Sequence, residues 1–172
     1  MGGRQLRIAW SGHRRDLFRE PHVAREIVES LARSAVERWG ATGFVCGGQR
    51  GVDQWAAAAG CALGLPVRLV LPSAPGHFTR AWTMDEQAGL ERLLDRVGEV
   101  AIVEPGGQSE ALAYDLRNEA LVRAAERLVV VWTGIRRGGT FHTLCAAEAR
   151  GIPIELATLE PAEVRTGHGR GV

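Results

Sequence analysis

Residues 127–140, with the sequence RLVVVWTGIRRGGT, join an apolar run to a glycine-rich turn. The five residues 128–132 are all apolar, which is typical of a central strand covered on both faces of a parallel sheet. The turn leads into a helix that we predict over residues 140–150, with Gly151 at its end. A buried strand that passes through glycine into a helix predicts a fold of the α/β class.

The same alternation of strand and helix extends along the rest of the chain. Apolar runs predict strands at 6–10, 44–46, 67–71, 100–103 and 153–156, and helical spacing predicts helices at 20–39, 52–63, 84–97 and 109–125. Strands separated by helices pair in parallel through right-handed crossovers. We therefore expect a Rossmann-like three-layer fold, with a mainly parallel central sheet and helices on both faces.

The length of the chain, 172 residues, is typical of one domain. No internal repeat or linker interrupts the pattern. We predict a single nucleotide-binding domain over residues 1–158 and a flexible C-terminal tail over 159–172, whose composition is rich in glycine.

The composition excludes several classes of chemistry. All 21 basic residues are Arg, so a Schiff base, a pyridoxal phosphate anchor and a P-loop lysine are excluded within this sequence. The net charge of +1 does not indicate a broadly basic nucleic-acid-binding surface. No apolar run is long enough to span a membrane.

Cys46, Cys61 and Cys145 are widely spaced and predict reduced thiols in a cytoplasmic protein without a signal peptide. The histidines lack metal-ligand spacing, so we predict no metal.

Three strand-to-helix turns combine glycine with arginine or hydroxyl side chains. We call residues 11–14 the first loop, 47–53 the second loop and 133–140 the third loop. Because ligands of open parallel sheets bind at the carboxyl ends of the strands, we expect the three loops to meet there. Helix N-termini, glycine and the arginine guanidinium all favour a phosphate group. Taken singly, each turn also fits the ordinary need for glycine between strand and helix, and only their convergence favours an anion site.

Arg117 and Asn118 lie on the predicted helix that precedes the apolar run. Near the start of that helix they would face the same edge of the sheet, where Arg117 could bind the ligand. The alternative is a solvated helix face, with Arg117 paired to Glu110 or Glu119. On the first interpretation, Arg117→Ala weakens ligand binding and leaves the melting temperature nearly unchanged.

The order of these motifs resembles the SLOG superfamily, over about residues 6 to 156. The resemblance lies in Ser-Gly-His-Arg at 11–14, Gly-Gly-x-x-Gly-x-Asp at 47–53, Arg-Asn at 117–118, and Trp132-x-Gly134 followed by Gly-Gly-Thr-x-x-Thr at 138–143. This superfamily joins LOG phosphoribohydrolases, DNA-processing protein A and small uncharacterised bacterial proteins, to which this chain is most similar. The resemblance implies a nucleotide or nucleotide-derived ligand on the three loops, no defined cofactor, and a homodimer or higher homo-oligomer.

The loops and the resemblance together predict a set of ligand-binding residues. They are Ser11, Gly12, His13, Arg14, Gly47, Gly48, Gln49, Gly51, Asp53, Arg117, Asn118, Thr133, Gly138, Gly139, Thr140 and Thr143. Trp82, in the segment after the third strand, could cover a nucleotide base.

Enzymatic activity stays open at this point. The similarity to LOG hydrolases covers Arg117 and the Gly-Thr at 139–140, but their catalytic Glu falls where this chain has Thr143. Cleavage of an N-glycosidic bond needs a nearby carboxylate. Asp53 and Arg117 are the two weak catalytic candidates, although Asp53 could equally cap the helix that it begins.

Three functions are therefore compatible with the sequence. The first is a nucleotide-binding or nucleotide-sensing protein, whose phosphate is held by the three loops. The second is a phosphoribohydrolase-like enzyme that cleaves nucleoside monophosphates. The third is single-stranded DNA binding, which the balanced charge and the single Tyr do not favour.

Overall fold

The computed structural model describes residues 5–103 and 109–163 of the protein. Six parallel strands form one sheet in the order β4-β3-β2-β1-β5-β6. The strands are β1 (Arg7–Gly12), β2 (Gly43–Cys46), β3 (Val67–Leu71), β4 (Glu99–Ile102), β5 (Arg127–Trp132) and β6 (Ile154–Thr158). The chain order reverses at β1, which pairs with β2 on one side and β5 on the other. Such a switch point is where open α/β sheets bind ligands.

Helices cover both faces of the sheet. They are α1 (Pro21–Trp39), α2 (Val52–Ala62), α3 (Pro75–Phe78), α4 (Met84–Leu94), α5 (Glu110–Arg123) and α6 (Gly138–Arg150). A single turn of 3₁₀ helix at Arg15–Leu17 lies between β1 and α1. The predicted Rossmann-like three-layer fold, with its helices on both faces, is confirmed.

The alternation of side chains along β1 shows how the two faces are filled. Ile8 and Trp10 are fully buried on the face covered by α1, α2 and α4. Ala9, between them, belongs to the second core, where Val122 of α5 and Leu144 of α6 pack. The apolar run of β5 divides in the same way between the two cores, as expected for a strand with no solvent-facing side.

Several element boundaries differ from the sequence-based prediction, and two of the differences involve residues of the first and third loops. β1 continues through Ser11 and Gly12, because these residues pair with Val130 and Val131 of β5. Helix α6 begins at Gly138, two residues before the predicted start. Both changes move predicted loop residues onto regular elements, where the backbone fixes their positions.

None of the helices within residues 5–103 and 109–163 is long and apolar enough to cross a membrane.

The first residues of the predicted tail pair with the segment that follows β1. The Arg19 N–H donates to the Glu160 carbonyl (3.0 Å), and the Ala162 N–H donates to the Leu17 carbonyl (2.9 Å). The Arg19 guanidinium also lies 2.8 Å from the Glu160 carboxylate. Residues 159–163 thus hold the 3₁₀ turn, and residues 164–172 lie outside the described part of the chain.

We expect Ala162→Pro to lower the free energy of unfolding by about 1 kcal/mol, because proline has no N–H for the Leu17 carbonyl. For a chain of this size the melting temperature should fall by about 2–4 °C in scanning calorimetry. Ala162→Ser keeps the N–H and is the control. Equal melting temperatures for the two variants would contradict the role assigned to this hydrogen bond.

Candidate functional site

A cleft of about 490 Å³ opens at the carboxyl ends of β1, β2 and β5. Eleven of the sixteen predicted ligand-binding residues line it, together with four residues that the sequence analysis did not select. The predicted residues are Ser11, Gly12, His13, Arg14, Gln49, Asp53, Arg117, Asn118, Gly138, Gly139 and Thr140. The additional residues are Leu17, Tyr114, Ile135 and Arg137. The convergence expected for the first and third loops is therefore present in the fold.

The N-terminus of α6 opens into this cleft without a side-chain cap. Arg137 occupies the cap position in an extended conformation, and no side chain among the described residues accepts a hydrogen bond from the first turn. The first turn also contains no acidic residue. The N–H groups of the first turn have no partners within the helix, and their partial positive charge favours an anion. Gly138 and Gly139 leave this end of the helix sterically open.

The first loop is fixed by the strands and helices around it. The His13 N–H donates to the Val131 carbonyl (3.2 Å), and the His13 carbonyl accepts from the Val52 N–H (3.3 Å). A side chain at Gly12 would lie 2.6 Å from that of Val52 and would also overlap the Val131 carbonyl. The glycine is required here by close packing of β1 against α2 and β5.

His13 is 6% exposed, whereas Arg14 beside it is exposed to solvent. The imidazole lies between Phe18 (ring centroids 6.1 Å apart) and Trp132 (6.4 Å). Its Nε2 is buried and has no hydrogen-bond partner within the described residues. Burial, and then the charge of Arg14, lower the pKa of His13, which favours the neutral ring.

The second loop contributes less to the cleft than predicted. Gly48 (φ +75°) packs on Leu71 and Phe78, and Gly51 (φ +93°) packs on the backbone of residues 13–15. Both glycines serve packing in a left-handed conformation, and neither lines the cleft. The Val52 and Gln54 N–H groups donate to the His13 and Gln49 carbonyls (both 3.3 Å), so the first turn of α2 is occupied by the protein itself.

Arg117 and Asp53 form a buried ion pair at the base of the cleft. Their nearest atoms, Nη1 and Oδ2, are 3.2 Å apart, and both side chains are less than one tenth exposed. A side chain at Gly47 would overlap both partners, so this glycine makes room for the pair instead of facing a ligand. Burial raises the pKa of Asp53, and the Arg117 guanidinium acts in the opposite direction. The alternative ion pairs considered for Arg117, with Glu110 or Glu119, are not formed. Glu110 pairs with Arg80 and Glu119 pairs with Arg123.

Asn118 and Thr143 both bind the Gly139 carbonyl. Asn118 lies in the middle of α5, and its Nδ2 donates to this carbonyl at a distance of 3.4 Å. Thr143 lies one turn further along α6, and its Oγ1 donates at a distance of 2.9 Å. Asn118 lines the cleft, whereas Thr143 is 1% exposed and does not. Thr143 therefore orients the start of α6, and its hydroxyl is already used.

Thr133 and Trp82 also lie away from the cleft lining. The Thr133 hydroxyl is buried without a hydrogen-bond partner among the described residues. Trp82 packs edge-on against Phe78 (4.9 Å), with the Arg50 guanidinium 5.0 Å from its ring centroid. A side chain so enclosed is not placed to cover a nucleotide base.

Three arginines and one carboxylate are the formally charged groups that line the cleft within the described residues. Asp53 is paired with Arg117, and Arg137 forms no ion pair with any described residue. Arg14 lies 3.7 Å from Asp16, and both side chains are well exposed. Positive charge is therefore available to a ligand from Arg14 and Arg137 at the exposed rim of the cleft, whereas the charge of Arg117 at its base is neutralised by Asp53. No group of three metal-binding side chains occurs within the described residues.

Comparisons with solved structures show a Rossmann-like fold similar to that of DNA processing protein A. DNA processing protein A from Streptococcus pneumoniae matches with a TM-score of 0.68 and 19% identity, over 88% of this chain and 50% of that one. DNA processing protein A from Helicobacter pylori, described by its single-stranded DNA binding mode, matches with a TM-score of 0.64 and 18% identity, over 88% and 64%. The molybdenum cofactor binding protein from Rippkaea orientalis matches with a TM-score of 0.56 and 17% identity, over 90% and 77%.

These likenesses concern the fold, and the chain spans about half of the length of the pneumococcal protein. No protein-family model matches the sequence, and no curated protein matches it. The fold implied by the resemblance to the SLOG superfamily is confirmed by these structures.

Arg117→Ala should lower the free energy of unfolding by about 3–5 kcal/mol, because Asp53 would stay buried without its partner. This replaces the expectation that the melting temperature stays nearly unchanged. Arg123→Ala, on an exposed side chain of the same helix, should change stability by no more than about 0.5 kcal/mol. Denaturant unfolding measures both, and an Arg117→Ala variant as stable as the wild type would contradict the structural role of the pair.

Because the pKa of His13 is lowered, we expect the stability of the fold to depend on pH. Below the ordinary value of 6.5 the unfolded chain binds a proton at this position that the folded chain resists, so stability is lost as the pH falls through this range. Between about pH 7.5 and about pH 5.5, His13→Gln should lose less stability than the wild type. His22→Gln, at an exposed histidine of α1, is the control for the loss of an imidazole elsewhere in the protein. Parallel pH profiles for wild type and His13→Gln would refute this.

Proposed function

We propose that the cleft binds a small organic phosphate, namely a nucleotide with its phosphate group at the N-terminus of α6. The observation that carries this proposal is the uncapped first turn of α6, which opens into a cleft that Arg14 and Arg137 also line. Free N–H groups at a helix N-terminus and arginine guanidinium groups together bind phosphate oxygens. The predicted nucleotide-binding or nucleotide-sensing function of the SLOG type therefore remains our first hypothesis.

The charge distribution favours a single phosphate group. The first-turn N–H groups of Val52 and Gln54 in α2 donate to the His13 and Gln49 carbonyls, and the guanidinium of Arg117 is paired with Asp53. Neither α2 nor α6 has a side-chain cap, but within the described residues no carbonyl accepts from the first-turn N–H groups of α6. A monophosphate can be neutralised at α6, whereas a phosphate at the start of α2 would meet the Asp53 carboxylate and N–H groups that are already bound.

Cleavage of a nucleoside monophosphate is the second hypothesis, supported by one observation. Asp53 is the only carboxylate that lines the cleft within the described residues, and burial raises its pKa. Its oxygen Oδ2 is held by Arg117 and by the Gln49 N–H, which favours a structural role. If the protein is a hydrolase, wild type should release free base from AMP and Asp53→Asn should not.

Single-stranded DNA is the third hypothesis, and the fold likeness to DNA processing protein A supports it. The described cleft offers Arg14 and Arg137 at its rim, but Arg50 is paired with Glu86 at 2.8 Å. A DNA-binding groove requires several free cations and stacking aromatics along its length. Binding to an oligonucleotide with a steep dependence on salt would favour this hypothesis over the first.

We further propose that the protein is cytoplasmic and forms a homodimer or a higher homo-oligomer. Both follow from the sequence and its resemblance, and light scattering during size-exclusion chromatography would measure the oligomeric state.

Arg137→Ala should weaken AMP binding about tenfold, because one charge-assisted hydrogen bond to phosphate contributes about 1.5 kcal/mol or more. Arg14→Ala should act in the same direction. Arg136→Ala is the matched control, since Arg136 is the exposed neighbour of Arg137 and does not line the cleft. Titration calorimetry measures the three affinities.

Two outcomes would contradict the proposed function. One is an Arg136→Ala variant that loses as much affinity as Arg137→Ala. The other is a wild-type protein that binds neither AMP nor inorganic phosphate at millimolar concentration.

A further inference from the structure

The cleft has an apolar side as well as an anion-binding end. Leu17 from the 3₁₀ turn, Tyr114 from α5 and Ile135 from the third loop all line it. Each is partly open to solvent. Three separate elements thus bring nonpolar surface to the cleft into which the α6 N-terminus opens. Inorganic phosphate has no nonpolar group that could contact this surface.

Tyr114 differs from the other aromatic residues of the chain. Of the described Phe, Trp and Tyr side chains, it is the one that lines the cleft. Phe78 and Trp82 contact one another behind it, and Trp132 is 6% exposed. An aromatic ring left partly open in a cleft can contact a flat organic group of a ligand.

The ring of Tyr114 is held in place by its neighbours. The Arg117 Cζ lies 5.5 Å from the ring centroid, and the Phe78 centroid lies 6.3 Å away on a tilted plane. Arg117 is itself anchored by the 3.2 Å contact with Asp53. A ring fixed before the ligand arrives costs little ordering entropy on binding, which favours selectivity.

We propose that Tyr114 is a specificity-determining residue, which contacts the planar base of a nucleotide whose phosphate lies at the α6 N-terminus. This inference rests on the proposed function, because it requires the phosphate end to be occupied. It assigns the two ends of the ligand to different parts of the cleft. The helix terminus and the rim arginines bind the charge, and Tyr114 distinguishes a nucleoside phosphate from a sugar phosphate.

Titration calorimetry with AMP and with ribose 5-phosphate tests this division, because the two ligands share the phosphate and differ in the base. Contact of a base with an aromatic ring contributes enough for about a tenfold preference for AMP in the wild type. Tyr114→Ala should reduce that preference to about twofold and leave the affinity for ribose 5-phosphate within about twofold of wild type. Tyr114→Phe keeps the ring and should keep the preference.

Leu112→Ala is the control for changes in α5, since Leu112 is exposed and does not line the cleft. The inference is overturned if Tyr114→Ala keeps the preference for AMP, if it weakens both ligands equally, or if Tyr114→Phe loses the preference. Equal binding of the two ligands by the wild type overturns this inference and leaves the phosphate site intact. Binding of neither ligand overturns the proposed function itself.

Discussion

A buried ion pair between Arg117 of α5 and Asp53 of α2 joins the two helical layers of the protein across the carboxyl end of β2. The two charges are removed from water, so each depends on the other for stabilisation. Gly47 leaves the space that the pair occupies. This contact forms the base of the cleft and fixes the separation of the elements that line it.

The pair also determines which helix terminus remains available. Asp53 of the pair places a carboxylate in the first turn of α2, where the Val52 and Gln54 N–H groups donate to the His13 and Gln49 carbonyls, so this helix start is internally satisfied. The first turn of α6 contains no acidic residue, and none of its N–H groups donates to a carbonyl within the described residues. Asn118 and Thr143 hold this helix start through the Gly139 carbonyl. Two strand-to-helix turns that look alike in sequence thus differ physically. One stabilises the fold, and the other presents N–H groups to the cleft.

The sequence predicts the layer architecture because the information is local. The apolar run of β5 and the helical spacing of α1 identify buried strand and amphipathic helix without knowledge of the partners. The roles of the glycines are not local. Gly12, Gly47 and Gly51 are required by contacts with residues distant in sequence, such as Val131, Arg117 and His13, and no local pattern distinguishes such packing from ligand binding. Tyr114 could have been found, since it lies one helical turn before Arg117.

The central claim, that the α6 N-terminus holds a phosphate, can be tested at the atoms concerned by ¹H–¹⁵N NMR during titration with AMP. We predict that the amide signals of Gly138, Gly139 and Thr140 move and saturate together, while those of Val52 and Gln54 at the start of α2 move little. Amides of Gly138 to Thr140 that stay unchanged, while those at the start of α2 move and saturate, would contradict it.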